Sequence, residues 1–387
     1  MNKFSSSSNE YDRLIHPIEI VSRIIAIWPV DNDQSKLKGL LSVCHRIGMI
    51  CVTVIMTAAV SFDVTRHWND MNEATECALI ASAFALSIVR MINYSVHADD
   101  MRYVLDTMRK DWVESSPEDK IVLDEKCRWT FKLAKQFIIS VGLALGLFML
   151  TPMIEIVVFH SEERILPFRG YFMKNQTSSP LYERLYVVNM VLGGLCGTTI
   201  AGATSFNLVS TMHGAARFAV LQKKLEALKS DDINCEPAMV DCVKRHQDAI
   251  KFADTLERII NVLALGQFVI STALVCCAGF QLASMIEDKA RLMKYFSFLN
   301  SAIFELFLFS YSGNQLIDES EAIIDSAYAS EWIGSPFCLN LRILMLRATR
   351  PSKITAAKFY DMSLKSFSSV LSTSFSYFTV LQTMNEE

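Results

Sequence analysis

Residues 259–280 read IINVLALGQFVISTALVCCAGF, twenty-two positions without one charged side chain. A helix of about 20 apolar residues crosses a hydrocarbon core about 30 Å thick. A helix on the surface of a soluble bundle would return polar residues to one face every 3.6 positions, and this stretch has no such face. It is read as a membrane span.

The same test, applied outward, finds VGLALGLFMLTPMIEIVVF (141–159), YVVNMVLGGLCGTTIAGATSF (186–206) and FSFLNSAIFELFLFSYSG (296–313). CALIASAFALSIVRMINY (77–94) is similar but carries Arg90 near one end. With two less apolar segments, the chain divides into seven spans at roughly 39–62, 74–95, 131–159, 184–210, 259–283, 295–315 and 356–383. The 387 residues are 51% hydrophobic and 20% charged, more apolar than soluble domains, which are about a quarter charged. The expected fold is an all-α membrane protein, a single seven-helix domain.

Direction follows from the basic residues. Of the 37 Lys and Arg, 29 fall in the N-terminal stretch and alternate connections, and eight fall on the other side. The positive-inside rule then puts the N-terminus in the cytosol and the C-terminus outside. The polar N-terminus, MNKFSSSSNEYDRL, has no apolar core of a cleavable signal. Nine of the ten cysteines fall in membrane or cytosol, Cys77 alone lying near the outer side, so no disulfide is expected. Asn175-Gln176-Thr177 is an outer-loop glycosylation sequon, while Asn93-Tyr94-Ser95 falls on the cytosolic side. Between spans four and five, Phe218, Leu221, Leu225 and Leu228 share a helical stripe. Helices four and five are therefore expected to run on into the cytosol and pack there.

The last span is unusual. On a helix, positions 366, 369, 373, 376, 380 and 383 share a face and read Ser366, Ser369, Thr373, Ser376, Val380 and Thr383. A neighbouring face reads Leu364, Phe367, Leu371, Phe375 and Phe378. Membrane hydroxyls either hydrogen-bond across packed helices or line water, replacing part of an ion's hydration. Pattern alone leaves both readings open. Val380, alone among hydroxyls, suits a hydrophobic constriction.

Glu305 is an acid at membrane depth, costly unless paired with another helix or facing a wet cavity. Gly142-x3-Gly146 and Gly193-x3-Gly197 read as close helix packing. Ile80, Phe84, Leu145, Met149, Tyr186, Met190, Tyr295, Phe298 and Ala302 fall in the outer halves of spans two, three, four and six. Their aromatic, aliphatic and thioether side chains suit an apolar ligand pocket. Nothing suggests catalysis: GxSxG, HExxH, GxxxxGK[ST] and GxGxxG are all missing. The seven histidines have no metal spacing, so neither metal nor cofactor is expected, and no basic run invites nucleic acid.

The C-terminal block MLRATRPSKITAAKFYDMSLKSFSSVLSTSFSYFTVLQ (345–382) resembles the signature of insect odorant receptors. YSGNQLIDESEAIIDSAYASEW (311–332), SPLYERLY (179–186), LPFRGYF (166–172), CVKRHQ (242–247) and IWP (27–29) fit in the family's order. Departures are Thr349 for a usual Gln, Ala357 for a common Gly, and Met173 for a frequent Pro.

The resemblance implies a ligand-gated, non-selective cation channel in the plasma membrane of olfactory sensory neurons, a heterotetramer with the shared odorant receptor co-receptor. It implies a small volatile ligand, a pore surrounded by the last helix of each subunit, Val380 at its hydrophobic gate and Gln382 just outside it. A cytosolic anchor would come from about 211–258 and 316–355. The short connection between helices four and five resembles a ligand-tuning subunit. Rival readings are a gustatory receptor of the same superfamily, a metabotropic seven-helix receptor with its N-terminus outside, and a transporter, which would show an internal repeat.

Overall fold

The computed structural model describes residues 2–25, 27–29, 36–66, 70–158, 160, 164–172, 176–230, 233–285 and 288–386. The elements run α1 (Asn2–Ile24), α2 (Lys36–Arg66), α3 (Met71–Val96), α4 (Ala98–Glu114), α5 (Pro117–Val157), α6 (Leu181–Glu226) and α7 (Cys235–Ser284). They continue with α8 (Lys289–Glu321), α9 (Ile323–Ala329), α10 (Cys338–Ala348), β1 (Thr355–Ala356), β2 (Tyr360–Asp361) and α11 (Leu364–Glu386).

Polar residues start α3, α5 and α8 by satisfying amide groups that the first turn leaves free. Asp70 accepts from the amides of Asn72 and Glu73 at 3.0 and 3.2 Å. Asp288 does the same for Ala290 and Arg291 at 3.0 and 3.1 Å. Ser116 caps α5 through the Asp119 amide at 3.1 Å, with Pro117 in the first turn, where its missing N–H costs nothing.

Among the described residues, six helices (α2, α3, α5, α6, α7 and α8) are long and apolar enough to cross a membrane. The hydroxyl-rich α11 packs beside α7 and α8 and joins these six in the bundle. α6, α7 and α8 form the centre; α5 lies on α6 and α8, α3 on α7, and α2 on α3. α6 and α7 run for 46 and 50 residues, roughly 70 Å each, more than twice a hydrocarbon core. Their surplus length forms a helical layer with α4, α9 and α10 at one end of the molecule, the α4 end. The loop after α5 marks the opposite, loop end. In the α4-end layer Phe218, Leu221, Leu225 and Leu228 are all buried, and Leu256 of α7 joins them.

Two segments differ from the sequence reading. The N-terminal stretch read as a polar tail is helical, and it buries Tyr11, Ile15 and Ile18 against the core; Tyr11 meets Trp112 at 6.1 Å between ring centroids. The seventh helix starts at Leu364 rather than near 356. Residues 355–361 instead form a small antiparallel hairpin with Thr355 opposite Asp361. Its turn places Ala357 and Lys358 at φ 48° and 64°, the left-handed region that glycine prefers. Thr355 holds the hairpin to α7: its amide donates to Glu257 Oε2 at 2.7 Å, and Asn261 Nδ2 donates to its hydroxyl at 3.0 Å.

Candidate functional site

A cavity of about 80 Å³ lies among α3, α5, α6, α7 and α8. Its walls are apolar, with Phe84, Leu145, Phe148, Phe168 and Phe298 facing it and Ala83, Ala144 and Ala302 leaving the room. Its polar floor is Arg90, Glu305 and Ser301.

Phe168 comes from the loop after α5 and forms the roof. Its ring stacks on Phe148 at 5.6 Å and 10°, and meets Phe84 edge-on at 6.0 Å and 84°. The loop carrying it is tied on three sides. The Phe168 amide donates to Asn189 Oδ1 of α6 at 3.0 Å, Arg169 donates to Glu73 of α3 at 2.8 Å, and the Tyr171 amide donates to the Ala59 carbonyl of α2 at 3.1 Å. Gly193 is what lets Phe168 in, because a Cβ there would overlap its ring. Gly197, one turn along, similarly receives the Leu145 side chain of α5.

At the floor, Arg90 and Glu305 are both buried and pair at 2.5 Å. The same Arg90 nitrogen, Nη2, donates to Gln267 Oε1 at 2.5 Å. Thr204 donates to Glu305 Oε1 at 2.7 Å, and Gln267 Nε2 donates to Ser271 at 2.8 Å. Four helices thus meet around one neutralised charge pair.

Five of the residues expected to form a pocket line this cavity: Ile80, Phe84, Leu145, Phe298 and Ala302. Four stand elsewhere. Tyr295 lies one layer back, its ring edge-on to Phe148 at 6.2 Å. Tyr186 packs with Tyr182 and bonds the Met149 carbonyl, so its hydroxyl and Met149 serve the α5–α6 contact. Met190 is 40% exposed on the outer face of α6. Depth and side-chain type select these residues, but rotation about the helix axis decides which of them face inward. Arg90, Phe148 and Phe168 were not anticipated. Glu305 was legible as an anomaly whose partner was not. Gly142 and Gly146, read as packing glycines, meet nothing within 4 Å of a Cβ; they face outward from the chain, unlike Gly193 and Gly197. Asn175 lies outside the described residues. The Asn93 side chain of the second sequon donates to the Ile259 carbonyl at 2.7 Å and is buried.

On α11 the two faces differ in what covers them. Val370 and Ser374 are buried, and Phe378 and Leu371 rest against α7 and α8. Phe367 meets Phe307 edge-on at 5.9 Å. Phe375, by contrast, is 67% exposed, so the bulky stripe is only partly turned inward. Ser369, Thr373, Ser376, Val380, Gln382 and Thr383 are all exposed on the surface of the chain. Among the described residues, no hydrogen bond joins their hydroxyls to another helix. Thr373 donates to the Ser369 carbonyl at 2.9 Å, Ser376 to Ser372 at 3.1 Å and Thr383 to Thr379 at 3.0 Å.

Gly313 of α8 sits under the hairpin, where a Cβ would overlap the Met362 carbonyl. This contact joins the stretch 311–332 to the C-terminal block 345–382, two separate parts of the sequence signature.

Comparison with known proteins accords with this architecture. The 7tm Odorant receptor family matches over residues 70–375. Odorant receptor 13a of Drosophila melanogaster is 23% identical, with 97% of each chain covered. Odorant receptor 10 of Aedes albopictus is 26% identical over 87% of this chain and 91% of that one. The insect olfactory receptor OR5 of Machilis hrabei, solved in complex with eugenol, superposes with a TM-score of 0.85 at 16% identity, covering 97% of this chain and all of that one. The bundled apolar helices are therefore those of a multi-pass membrane receptor, and the chain belongs to the 7tm Odorant receptor family.

Proposed function

We propose that this chain is the odorant-tuning subunit of a ligand-gated, non-selective cation channel. It assembles with the shared co-receptor into a heterotetramer in the plasma membrane of olfactory sensory neurons. The α4 end is cytosolic and acts as the anchor between subunits, and the loop end is outside. A small volatile molecule occupies the cavity beneath Phe168. It binds the open state better and so shifts the closed–open equilibrium. α11 lines the pore, with Val380 as its constriction and the hydroxyls facing water.

One observation carries this reading. The face bearing Ser369, Thr373, Ser376, Val380 and Thr383 is exposed, with no cover from its own chain among the described residues. Thr373, Ser376 and Thr383 spend their hydroxyl hydrogens on their own helix, leaving oxygen lone pairs on the outer surface. Such a face suits water and cations better than lipid. The cavity supports the ligand part, because apolar walls with a few fixed polar groups suit a small, mostly apolar molecule. Eugenol in the Machilis receptor is a small organic ligand in a chain of the same fold.

The test is whole-cell current evoked by a panel of volatiles, with the chain expressed alone and with the co-receptor, and GDP-β-S in the pipette. Fast cation current only with both chains, unaffected by the nucleotide, is expected. Current that needs G-protein turnover, or no current in any pairing despite surface expression, contradicts the proposal.

A further inference from the structure

Arg90 is placed where an arginine is expensive. It is 1% exposed, on a span, at the closed end of an otherwise apolar cavity. Glu305 cancels its charge, yet its hydrogen bonds are incomplete. Nη2 is doubly engaged, by Gln267 and Glu305. Nη1 is buried and has no hydrogen-bond partner among the described residues. A guanidinium carries five N–H donors, and a buried donor without an acceptor is costly. Two neighbouring acceptors are already committed: Glu305 Oε1 takes Thr204 as well as Arg90, and Ser301 shares its hydroxyl with Ser140 at 2.6 Å.

We propose that this floor is a hydrogen-bond-donating subsite. The chain's preferred ligands are small, neutral, mostly apolar molecules with one acceptor oxygen (a ketone, ester or ether), and Arg90 receives that oxygen. The inference rests on the reading of this cavity as the ligand site and adds a chemical class to it. A neutral acceptor fits better than an anion. Glu305 already balances the guanidinium, so a carboxylate would bring an uncompensated charge past the aromatic walls. A pure hydrocarbon fits the walls equally well but leaves Nη1 unpaired.

The experiment measures binding, so it does not depend on gating. The full-length receptor in detergent is titrated with shape-matched pairs: acetophenone against 2-phenylpropene, and 2-heptanone against 2-methyl-1-heptene. Each ketone is expected to bind at least about tenfold more tightly than its alkene, the scale of a hydrogen bond to a charged donor. In the doubly substituted Arg90→Met, Glu305→Met receptor, which buries no charge at this site, the ratio is expected to fall to near one while alkene affinity persists. Equal affinities in the unsubstituted receptor overturn the proposal without any variant having to fold, and leave the cavity as an apolar site. An unchanged ratio in the double variant also overturns it. If neither member of either pair binds, or filling the cavity by Ala302→Phe leaves alkene affinity intact, the reading of the cavity as the ligand site fails as well.

Discussion

The ring of Phe168 occupies the space that a side chain on Gly193 would need. A loop residue is thereby wedged between α3 and α6 and closes the cavity over Phe148 and Phe84. Gly193→Ala forces either the ring or the helix to move. Overpacking of this kind costs about 1–3 kcal/mol, so a lower melting temperature is expected. The more telling effect is on ligand response, because displacing Phe168 reshapes the roof. The concentration–response curve for an active volatile should shift, while Gly194→Ala, whose Cβ meets nothing within 4 Å, leaves it in place. Equal behaviour of the two variants counts against Phe168 as the roof.

Val380 is 55% exposed on the uncovered face of α11. If it narrows the pore, shortening it weakens the closed state. Val380→Ala is expected to raise the cation current recorded without ligand, at normal surface expression. A basal current equal to control assigns the constriction elsewhere.

The hairpin before α11 makes two opposite predictions. Ala357 holds φ 48° without being glycine, and a non-glycine residue there costs about 1–2 kcal/mol. Ala357→Gly should therefore stabilise the receptor, by roughly 0.5–1 kcal/mol after the added freedom of the unfolded chain is counted. Gly313→Ala drives a Cβ into the Met362 carbonyl and should destabilise it by about 1–3 kcal/mol. Thermal unfolding in detergent reads both signs, and a fall with the first or a rise with the second refutes this hairpin geometry.

His246, on the α4-end part of α7, is 5% exposed and meets Phe218 edge-on at 6.3 Å. Burial, followed by the Arg347 charge, holds its imidazole down at about 4, from an ordinary 6.5. The unfolded chain therefore takes up this proton first as pH falls. The His246 contribution to stability is whole above about 6.5 and is lost progressively toward 4. Melting temperature should drop between pH 7.5 and 5, and His246→Gln should flatten that drop. Parallel profiles for the two proteins contradict the sign or the residue.

Much of the fold was readable because a membrane span needs only length and apolarity, and residues 259–280 have both. The stripe of Phe218, Leu221, Leu225 and Leu228, buried at the α4 end, was readable from its 3.6-residue period. Other features depend on partners far along the chain. Glu305 stood out as costly, but Arg90 lies 215 residues away, and nothing local connects them. Gly193-x3-Gly197 and Gly142-x3-Gly146 are spelled alike, yet only the first pair receives side chains. Small residues announce that something can approach, not whether anything does. The hairpin hid inside an expected helix because its left-handed turn is built from Ala357 and Lys358, which carry no glycine signal. Met190 and Phe84 are similar in depth and chemistry. They differ only in which way α6 and α3 are rotated.

The central claim is that a volatile in the cavity under Phe168 opens the channel. Ala302 is 6% exposed and faces that cavity, and Ala302→Phe fills it without touching α11. The direct measurement is volatile-evoked current through this variant, paired with the co-receptor and matched for surface expression. At least about a tenfold loss of sensitivity, the scale of a ligand group excluded from its pocket, is expected. A concentration–response curve unchanged from the parent receptor would place the ligand elsewhere and contradict the claim.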